Sequence, residues 1–379
     1  MLKKKRLFTP GPTMVPEEVL LEMAEPVKHH RAPEFVEIFE AVNEKLKKLF
    51  FTKNPVLTFL SSGTGAMEGA VVNTVHSGDK VLVIEGGKFG QRWAEICKAW
   101  NIDHDVIHVE WGHPVDVNLV ADYLKKTHYD VVFMTHSETS TGTVNDVKAV
   151  AELTKDTDTL LVVDGITSIG SHELYFDDWG IDVVVTGSQK GLMLPPGLAF
   201  AAISNKAWAK IEKKDLPVYY FDWVKAKKTL AKGQTPYTTG VSLIVGLNKA
   251  LDIIMEIGME NIWKKHQKHG DATRAAVKAI GLELFSKSPS NVVTAINIPE
   301  EIGASNVINK MMDDFGIRIT GGQEHLKGKI IRISHLGYID DVDIISVVAA
   351  LEAVMYNLGF GNKLGEATKA ALEVLTVDN

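Results

Sequence analysis

Residues 183–191 read VVVTGSQKG, and the composition of this stretch decides the fold class. Three consecutive valines keep no polar alternation, which is typical of a strand buried on both faces in a mostly parallel sheet. The turn that follows consists of small residues and carries Lys190. A lysine at the end of an interior strand is either a solvated loop residue or an amine with a chemical role. The rest of the sequence has to distinguish the two.

Short apolar runs alternate with amphipathic stretches in the region around this motif, and this alternation predicts an α/β fold whose mostly parallel sheet is covered by helices. The last run follows its predecessor after a short connection with two prolines and two glycines, so we expect it to be antiparallel. The seven predicted strands are Val56–Leu60, Lys80–Ile84, His104–Val109, Val131–Thr135, Thr159–Asp164, Asp182–Thr186 and Leu198–Ile203.

The C-terminal part of the chain has a different pattern. Helical periodicity predicts helices over Val241–Ile257 and Glu260–Ile280, with Gly258 as the break between them. A smaller α+β unit follows. We therefore predict an N-terminal arm over residues 1–20, a large domain over residues 21–258 and a small C-terminal domain over residues 259–379. The predicted elements of the small unit are strands at Val292–Ile298, near Ile317 and at Ile330–Ser334, and helices at Ser305–Phe315 and Asp340–Leu358.

Composition excludes several classes of protein. The formal charge of −7, with dispersed lysines, gives no basic surface for nucleic acid. No stretch approaches the roughly 18 uninterrupted apolar residues of a membrane helix, and the basic start meets Thr9-Pro10-Gly11-Pro12 before a signal-peptide core can form. Cys97 is the only cysteine, so no internal disulfide is possible. We expect a cytoplasmic protein without membrane or nucleic-acid partners.

The carboxyl ends of the predicted strands carry the polar residues of interest, because ligands of open parallel sheets bind there. After the first strand, residues 61–69 (SSGTGAMEG) open a helix whose free N–H groups favour an anion such as phosphate. A plain helix cap would have the same sequence. A dinucleotide site is a second alternative, since Gly63-x-Gly65 follows a strand and Glu85 ends the next one, although the third glycine comes late.

Asp164 ends another buried strand, and no His or Cys cluster with metal spacing stands beside it, so we expect no metal. A carboxylate at that place can hold a protonated ring nitrogen while Lys190 forms a Schiff base. An anion seat, an aspartate and a lysine together are what pyridoxal phosphate requires. Phe89 could stack on its ring, or be an ordinary core residue, and Thr139 could hydrogen-bond the cofactor or belong to a capping network.

With these residues in order, the sequence resembles the class V, fold-type I pyridoxal-phosphate aminotransferases, in particular the alanine–glyoxylate and serine–pyruvate aminotransferase group. Each motif is loose, but the ordered set is specific and covers nearly the whole chain. The matching motifs are TPGPTMVP (9–16), SSGTGAMEGAVVN (61–73), FGQRW (89–93), THSETSTG (135–142), LLVVDGITSIG (160–170), TGSQKG (186–191), TPYTTGVSLIVGL (235–247) and IRISHLG (331–337).

The resemblance implies a role for each matching position. Lys190 would be the Schiff-base lysine and Asp164 the partner of the pyridinium nitrogen, while Arg332 would bind the substrate α-carboxylate, with Gly11 beside the substrate. The other implied cofactor-binding residues are Ser62, Gly63, Thr64, Phe89, Thr139, Ile166 and Gln189, together with Thr235 and Thr238, which would reach the cofactor of a neighbouring subunit in a homodimer.

Two positions depart from relatives, some of which have histidine in place of Thr64 and tyrosine in place of Thr235. The cysteine-desulfurase branch of the fold needs a cysteine on a mobile loop, whereas Cys97 lies in a helical pattern suited to burial.

The predicted activity is transamination between a small amino acid, alanine or serine, and a keto acid, glyoxylate or pyruvate. Alternative donors in the same class are aspartate and phosphonate or ureido amino acids. From other classes, a nicotinamide oxidoreductase and a non-catalytic binding subunit stay open.

Overall fold

The computed structural model of the protein describes residues 3–377. Strands and helices alternate through most of the chain. The strands are β1 (Arg6–Leu7), β2 (Leu57–Ser61), β3 (Lys80–Glu85), β4 (Asp103–His108), β5 (Val131–Thr135), β6 (Ser137–Glu138), β7 (Thr143–Val144), β8 (Leu160–Asp164), β9 (Val183–Gly187), β10 (Gly197–Ile203), β11 (Val293–Asn297), β12 (Ile317–Arg318), β13 (Thr320–Gly321) and β14 (Ile330–Ser334).

Two long helices, α10 and α11, lie on either side of Gly258, the predicted break. The helices of the described residues are α1 (Glu17–Met23), α2 (Pro33–Phe50), α3 (Gly63–Thr74), α4 (Lys88–Ala99), α5 (Val117–Lys126), α6 (Val147–Thr154), α7 (Phe176–Trp179), α8 (Asn205–Ile211), α9 (Trp223–Leu230), α10 (Val241–Ile257), α11 (Met259–Ala279), α12 (Ala304–Phe315), α13 (Asp341–Asn357) and α14 (Glu366–Leu375), with a short 3₁₀ helix at Glu324–Leu326. None of these helices has the length and apolar character needed to cross a bilayer.

The central sheet has seven strands in the order β2-β10-β9-β8-β5-β3-β4. β10 pairs antiparallel with both β9 and β2, and the other neighbours pair in parallel, so the predicted sheet and its one antiparallel strand are confirmed. The turn from Lys190 to Gly197 returns the chain directly to the neighbouring strand. The carboxyl ends of the six co-directional strands therefore share one edge.

Helices cover both faces of this sheet. Successive side chains of a strand point to opposite faces, and β9 shows the result. Val184 packs with α10 residues in one apolar cluster, whereas Val183 and Val185 pack with α3 residues in another. The uninterrupted apolar composition of the strand is thereby explained.

The C-terminal part forms a smaller unit built on the antiparallel sheet β11-β14-β13. The start of the chain joins this unit: β1 pairs in parallel with β12, and Phe8 is fully buried in the unit's apolar cluster. Helix α1 runs across residue 20, where we predicted the arm to end. The three domain ranges themselves stay a prediction.

Candidate active site

Lys190 follows β9 after Ser188 and Gln189, at the edge of the sheet where the strand ends meet. Its Nζ donates a hydrogen bond of 2.6 Å to the carbonyl of Pro10. Burial lowers the pKa of this amine to about 8, against the opposing effect of Asp164, while Arg332 and Arg92 lower it further. A lysine with this pKa is largely neutral at mildly alkaline pH, which is the form that acts as nucleophile or base.

Asp164 ends β8 and is buried. Its Oδ1 accepts a hydrogen bond of 2.8 Å from the backbone N–H of Ile166. Burial raises the pKa of the carboxyl to about 7, and Glu138 adds to the rise, whereas Arg92 and Lys190 oppose it. The cavity thus holds a carboxyl group, Asp164, as well as the Lys190 amine. With a pKa of about 7, this carboxyl can be neutral or charged, depending on which ligand lies beside it.

Helix α3 begins at Gly63 with Ser62 as its N-cap, and no side chain caps it. The backbone N–H groups of Gly63 and Thr64 form no hydrogen bond within residues 3–377. A Cβ at position 63 would lie 2.6 Å from Cδ1 of Ile166, so a larger residue there would displace the Ile166 side chain. Free amides at a helix N-terminus form a site for an anion, as the sequence predicts.

Phe89 lies in the first turn of α4 and is positioned by a carboxylate that sequence reasoning did not assign. Oε2 of Glu138 accepts 2.9 Å hydrogen bonds from the N–H groups of Phe89 and Gly90. Its Oε1 accepts from the backbone N–H and the hydroxyl of Ser140. Burial raises the pKa of Glu138, against these hydrogen bonds. The sequence signal that could have indicated Glu138 is its position as an acidic residue just beyond the buried strand β5.

One cavity of about 140 Å³ lies between these elements. Most of the predicted cofactor-binding residues line it, namely Ser62, Gly63, Thr64, Phe89, Thr139, Asp164, Ile166, Gln189 and Lys190. Arg92, Ser137 and Thr167 line it as well and were not predicted. Arg92 stands one helical turn after Phe89, and that spacing could have indicated it.

Arg332, on β14 of the small unit, reaches towards this cavity without being among its lining residues. Nη1 donates to the carbonyl of Thr139 at 2.8 Å and Nε to the carbonyl of Gly321 at 2.9 Å. Burial lowers the pKa of the guanidinium to about 10. Nη2 makes no hydrogen bond within the described part of the chain, so the end of the fork is free to bind a planar anion.

Gly11 lies against the lysine side chain. Its φ of +139° is in the region that glycine favours, and a Cβ at this position would overlap the Lys190 side chain. Thr235 and Thr238 lie elsewhere, in a separate shallow depression that also includes Tyr220. The hydroxyl of Thr235 donates to the carbonyl of Tyr237 at 2.7 Å. Within one protomer these two threonines do not line the cavity.

Comparison with known proteins identifies the family. The model of the class-V aminotransferases matches residues 6–344. The chain is 43% identical over 383 residues to a protein named soluble hydrogenase, small subunit, of Synechococcus, covering 99% of this chain and all of that one. It is 38% identical to a serine–glyoxylate aminotransferase of Hyphomicrobium methylovorum, with 97% and 93% of the two chains covered. The crystal structure of ureidoglycine–glyoxylate aminotransferase from Bacillus subtilis superposes with a TM-score of 0.93 at 30% identity over the whole of both chains.

The family excludes the nicotinamide-oxidoreductase alternative, and the structure gives the physical reason. Glu85, the residue considered for binding a ribose, does not line the cavity; its carboxylate lies 3.7 Å from Nδ1 of His108.

The predicted burial of Cys97 is confirmed, and burial raises the pKa of its thiol to about 12. A thiol with that pKa is not a nucleophile near neutral pH.

The cavity fits pyridoxal phosphate by the chemistry of its lining. The free amides of Gly63 and Thr64 offer donors to a phosphate, and Oε1 of Gln189, buried and without a partner within residues 3–377, offers an acceptor to a donor group of the ligand. Asp164 is an acid that a cationic ring nitrogen would hold in its charged form. The chain belongs to the class V aminotransferases of fold-type I and is a pyridoxal-phosphate-dependent aminotransferase.

Proposed function

We propose that this aminotransferase moves the amino group of a small amino acid, alanine or serine, to glyoxylate or pyruvate. The observation that carries the proposal is that the Lys190 amine lines the cavity towards which the free end of the Arg332 fork reaches. An α-amino acid needs both groups, one for its Cα proton and one for its carboxylate. Glyoxylate as acceptor is supported by the names of the Hyphomicrobium and Bacillus proteins.

In this proposal each residue has a defined task. When bound, pyridoxal phosphate supplies an aldehyde carbon that exchanges between amines and a ring that takes up the electron pair of the broken Cα–H bond. Nζ of Lys190 would hold the cofactor through its aldehyde carbon and, once a substrate amine has replaced it there, would be free to take the Cα proton as a base and give a proton back as an acid. Asp164 accepts a hydrogen bond from the ring nitrogen and keeps it protonated. Arg332 orients the substrate through its α-carboxylate.

The remaining contacts of the proposal concern the cofactor's periphery. Phe89 stacks on the ring, and Ser62, Gly63 and Thr64 bind the phosphate. Thr139, Ile166 and Gln189 close the cavity around them, and Gly11 keeps the substrate side of Lys190 open. Thr235 and Thr238 contact the cofactor of a second copy of the chain, which makes the enzyme a homodimer with shared sites. We place it in the cytoplasm.

The donor is the open part of the proposal, since the Bacillus protein is named for ureidoglycine and the Hyphomicrobium protein for serine. Aspartate and phosphonate amino acids are the other candidates from the sequence. The hydrogenase name of the Synechococcus relative is not carried over to this chain. Iron–sulfur clusters need several thiolates, and this chain has a single, buried cysteine.

A donor and acceptor screen tests the proposal. The purified protein, loaded with pyridoxal phosphate, is assayed with alanine, serine, aspartate, a phosphonate and a ureido amino acid against glyoxylate and pyruvate. We expect the highest kcat/KM for alanine or serine with glyoxylate or pyruvate, and no turnover by the Lys190→Ala control. A clear preference for another donor would replace this substrate assignment and leave transamination itself intact.

A further inference from the structure

Arg92 is a cation of the cavity wall to which no role has been given. It lies on α4 and lines the cavity together with Thr64, Phe89 and Lys190. Within residues 3–377 no carboxylate lies within 4.0 Å of its guanidinium. A half-buried guanidinium without a negative partner is available to an anionic ligand, which it would attract more strongly at the cavity wall than in open water.

Two contacts hold Arg92 on the phosphate side of the cavity. Nη1 donates a hydrogen bond of 3.1 Å to the hydroxyl of Thr64, the residue whose free backbone N–H belongs to the helix N-terminus. The guanidinium carbon lies 4.9 Å from the centroid of the Phe89 ring, one helical turn earlier. The arginine is therefore attached to both the anion seat and the ring platform.

The other cations of the site have different tasks. Lys190 is used for the covalent link to the cofactor, and Arg332 is anchored on Thr139 and Gly321 at the substrate end. A phosphate monoester carries close to two negative charges at neutral pH. Helix N-terminal amides supply only a fraction of one opposite charge. The seat at Ser62–Thr64 thus lacks a full counter-charge, and Arg92 is the cation beside it.

We propose that Arg92 is the counter-cation of the cofactor phosphate, held in place by Thr64. The inference rests on the phosphate seat proposed above and adds a residue to it. The position of the guanidinium also explains why it lowers the pKa of Lys190 and of Asp164, which lie in the same cavity. Arg92 would bind the phosphate by charge and by its planar fork, which lysine cannot reproduce.

The test compares pyridoxal phosphate with pyridoxal, which has the same aldehyde and ring but no phosphate. Cofactor-free parent, Arg92→Gln and Arg92→Lys are titrated with each compound, and binding is followed by absorbance. We expect Arg92→Gln to bind pyridoxal phosphate about 10- to 100-fold more weakly and pyridoxal with little change, because only charged hydrogen bonds to phosphate are lost. The affinity of Arg92→Lys for pyridoxal phosphate should lie between that of the parent and that of Arg92→Gln.

Lys98→Gln is the matched control, since Lys98 lies exposed on the same helix and its loss changes the net charge equally. This variant should bind both compounds like the parent. Inorganic phosphate should compete with pyridoxal phosphate for the parent and less for Arg92→Gln. Equal weakening for both compounds would overturn the proposal in favour of support for the Phe89 platform. Unchanged cofactor affinity with a raised KM for the amino acid would overturn it in favour of substrate binding, without touching the assignment of transamination.

Discussion

Nη1 of Arg332 donates a hydrogen bond of 2.8 Å to the backbone carbonyl of Thr139. Arg332 lies in the small unit, whereas Thr139 lies in the segment that follows strand β5 of the central sheet. The bond fixes the arginine against the wall of the cavity that Thr139 helps to form. If Arg332 binds the substrate carboxylate as proposed, its distance from Lys190 is set by this contact between the two units.

Replacing Arg332 should separate substrate binding from cofactor binding. Arg332→Ala should lower kcat/KM for amino acids by about 10- to 100-fold or more, because charged hydrogen bonds to the carboxylate are lost. Arg332→Lys keeps charge but loses the fork and should also be impaired. Steady-state kinetics with an amino acid and its decarboxylated amine provide the measurement. Equal losses for both donors would show that the α-carboxylate is bound elsewhere.

The assignment of Lys190 predicts one site of covalent attachment. The loaded protein should be yellow, and borohydride should fix the cofactor to a single peptide that contains Lys190. Mass spectrometry of the digested protein gives the position, with Lys190→Ala as the unlabelled control. An adduct on any other lysine in the parent would contradict the assignment.

The pKa of Lys190 predicts the pH dependence of its reactivity. The neutral amine reacts, and burial lowers its pKa to about 8, so trace acetylation of the cofactor-free protein should rise through pH 8 and then level off. Asp164 raises this pKa, so Asp164→Asn should move the midpoint to lower pH. Mass spectrometry can follow Lys190 and the exposed Lys98 in the same sample. A midpoint near that of a free lysine, or a shift upwards in Asp164→Asn, would refute the geometry.

Asp164 should be needed for chemistry more than for folding. Asp164→Asn keeps the shape without the charge, and Asp164→Ala removes both, so each should slow the single-turnover half-reaction with an amino acid strongly while the fold persists. Stopped-flow absorbance measures the half-reaction, and circular dichroism checks the fold. A single-turnover rate for Asp164→Asn equal to that of the parent would remove the proposed role on the ring nitrogen.

The shared-site proposal predicts a dimer at low concentration. Thr235 and Thr238 lie in a depression away from the cavity of their own protomer, so they can contact a cofactor only across a subunit boundary. Sedimentation velocity at decreasing concentration, with activity measured on the same samples, tests this. A fully active monomer would exclude shared sites.

Much of the fold follows from local patterns. The run of valines predicts the buried strand β9, because β-branched residues favour strands. The helical periodicity that stops at Gly258 predicts the end of α10. Two-residue strands such as β1 have no such pattern and depend on a distant partner. In the site, Asp164 ends β8 and Lys190 follows β9 after a short turn, and both were predicted to line the site. Arg92 and Glu138 were missed because the rotation of helix α4 and the burial of the short strand β6 are decided by packing that sequence periodicity does not describe.

The pairing of β1 with β12 has a consequence for how the enzyme is made. The carbonyl of Pro10 that holds the lysine amine, and Gly11 beside it, follow a strand whose partner lies near the other end of the chain. Contacts so distant in sequence form late, because closing a long loop costs entropy before any contact is gained. The segment around Pro10 and Gly11 is thus expected to dock only after the partner strand β12 has folded. A chain interrupted before residue 317 would possess Lys190 and Asp164 but would lack both the strand partner that positions Pro10 and Gly11 and the arginine at position 332.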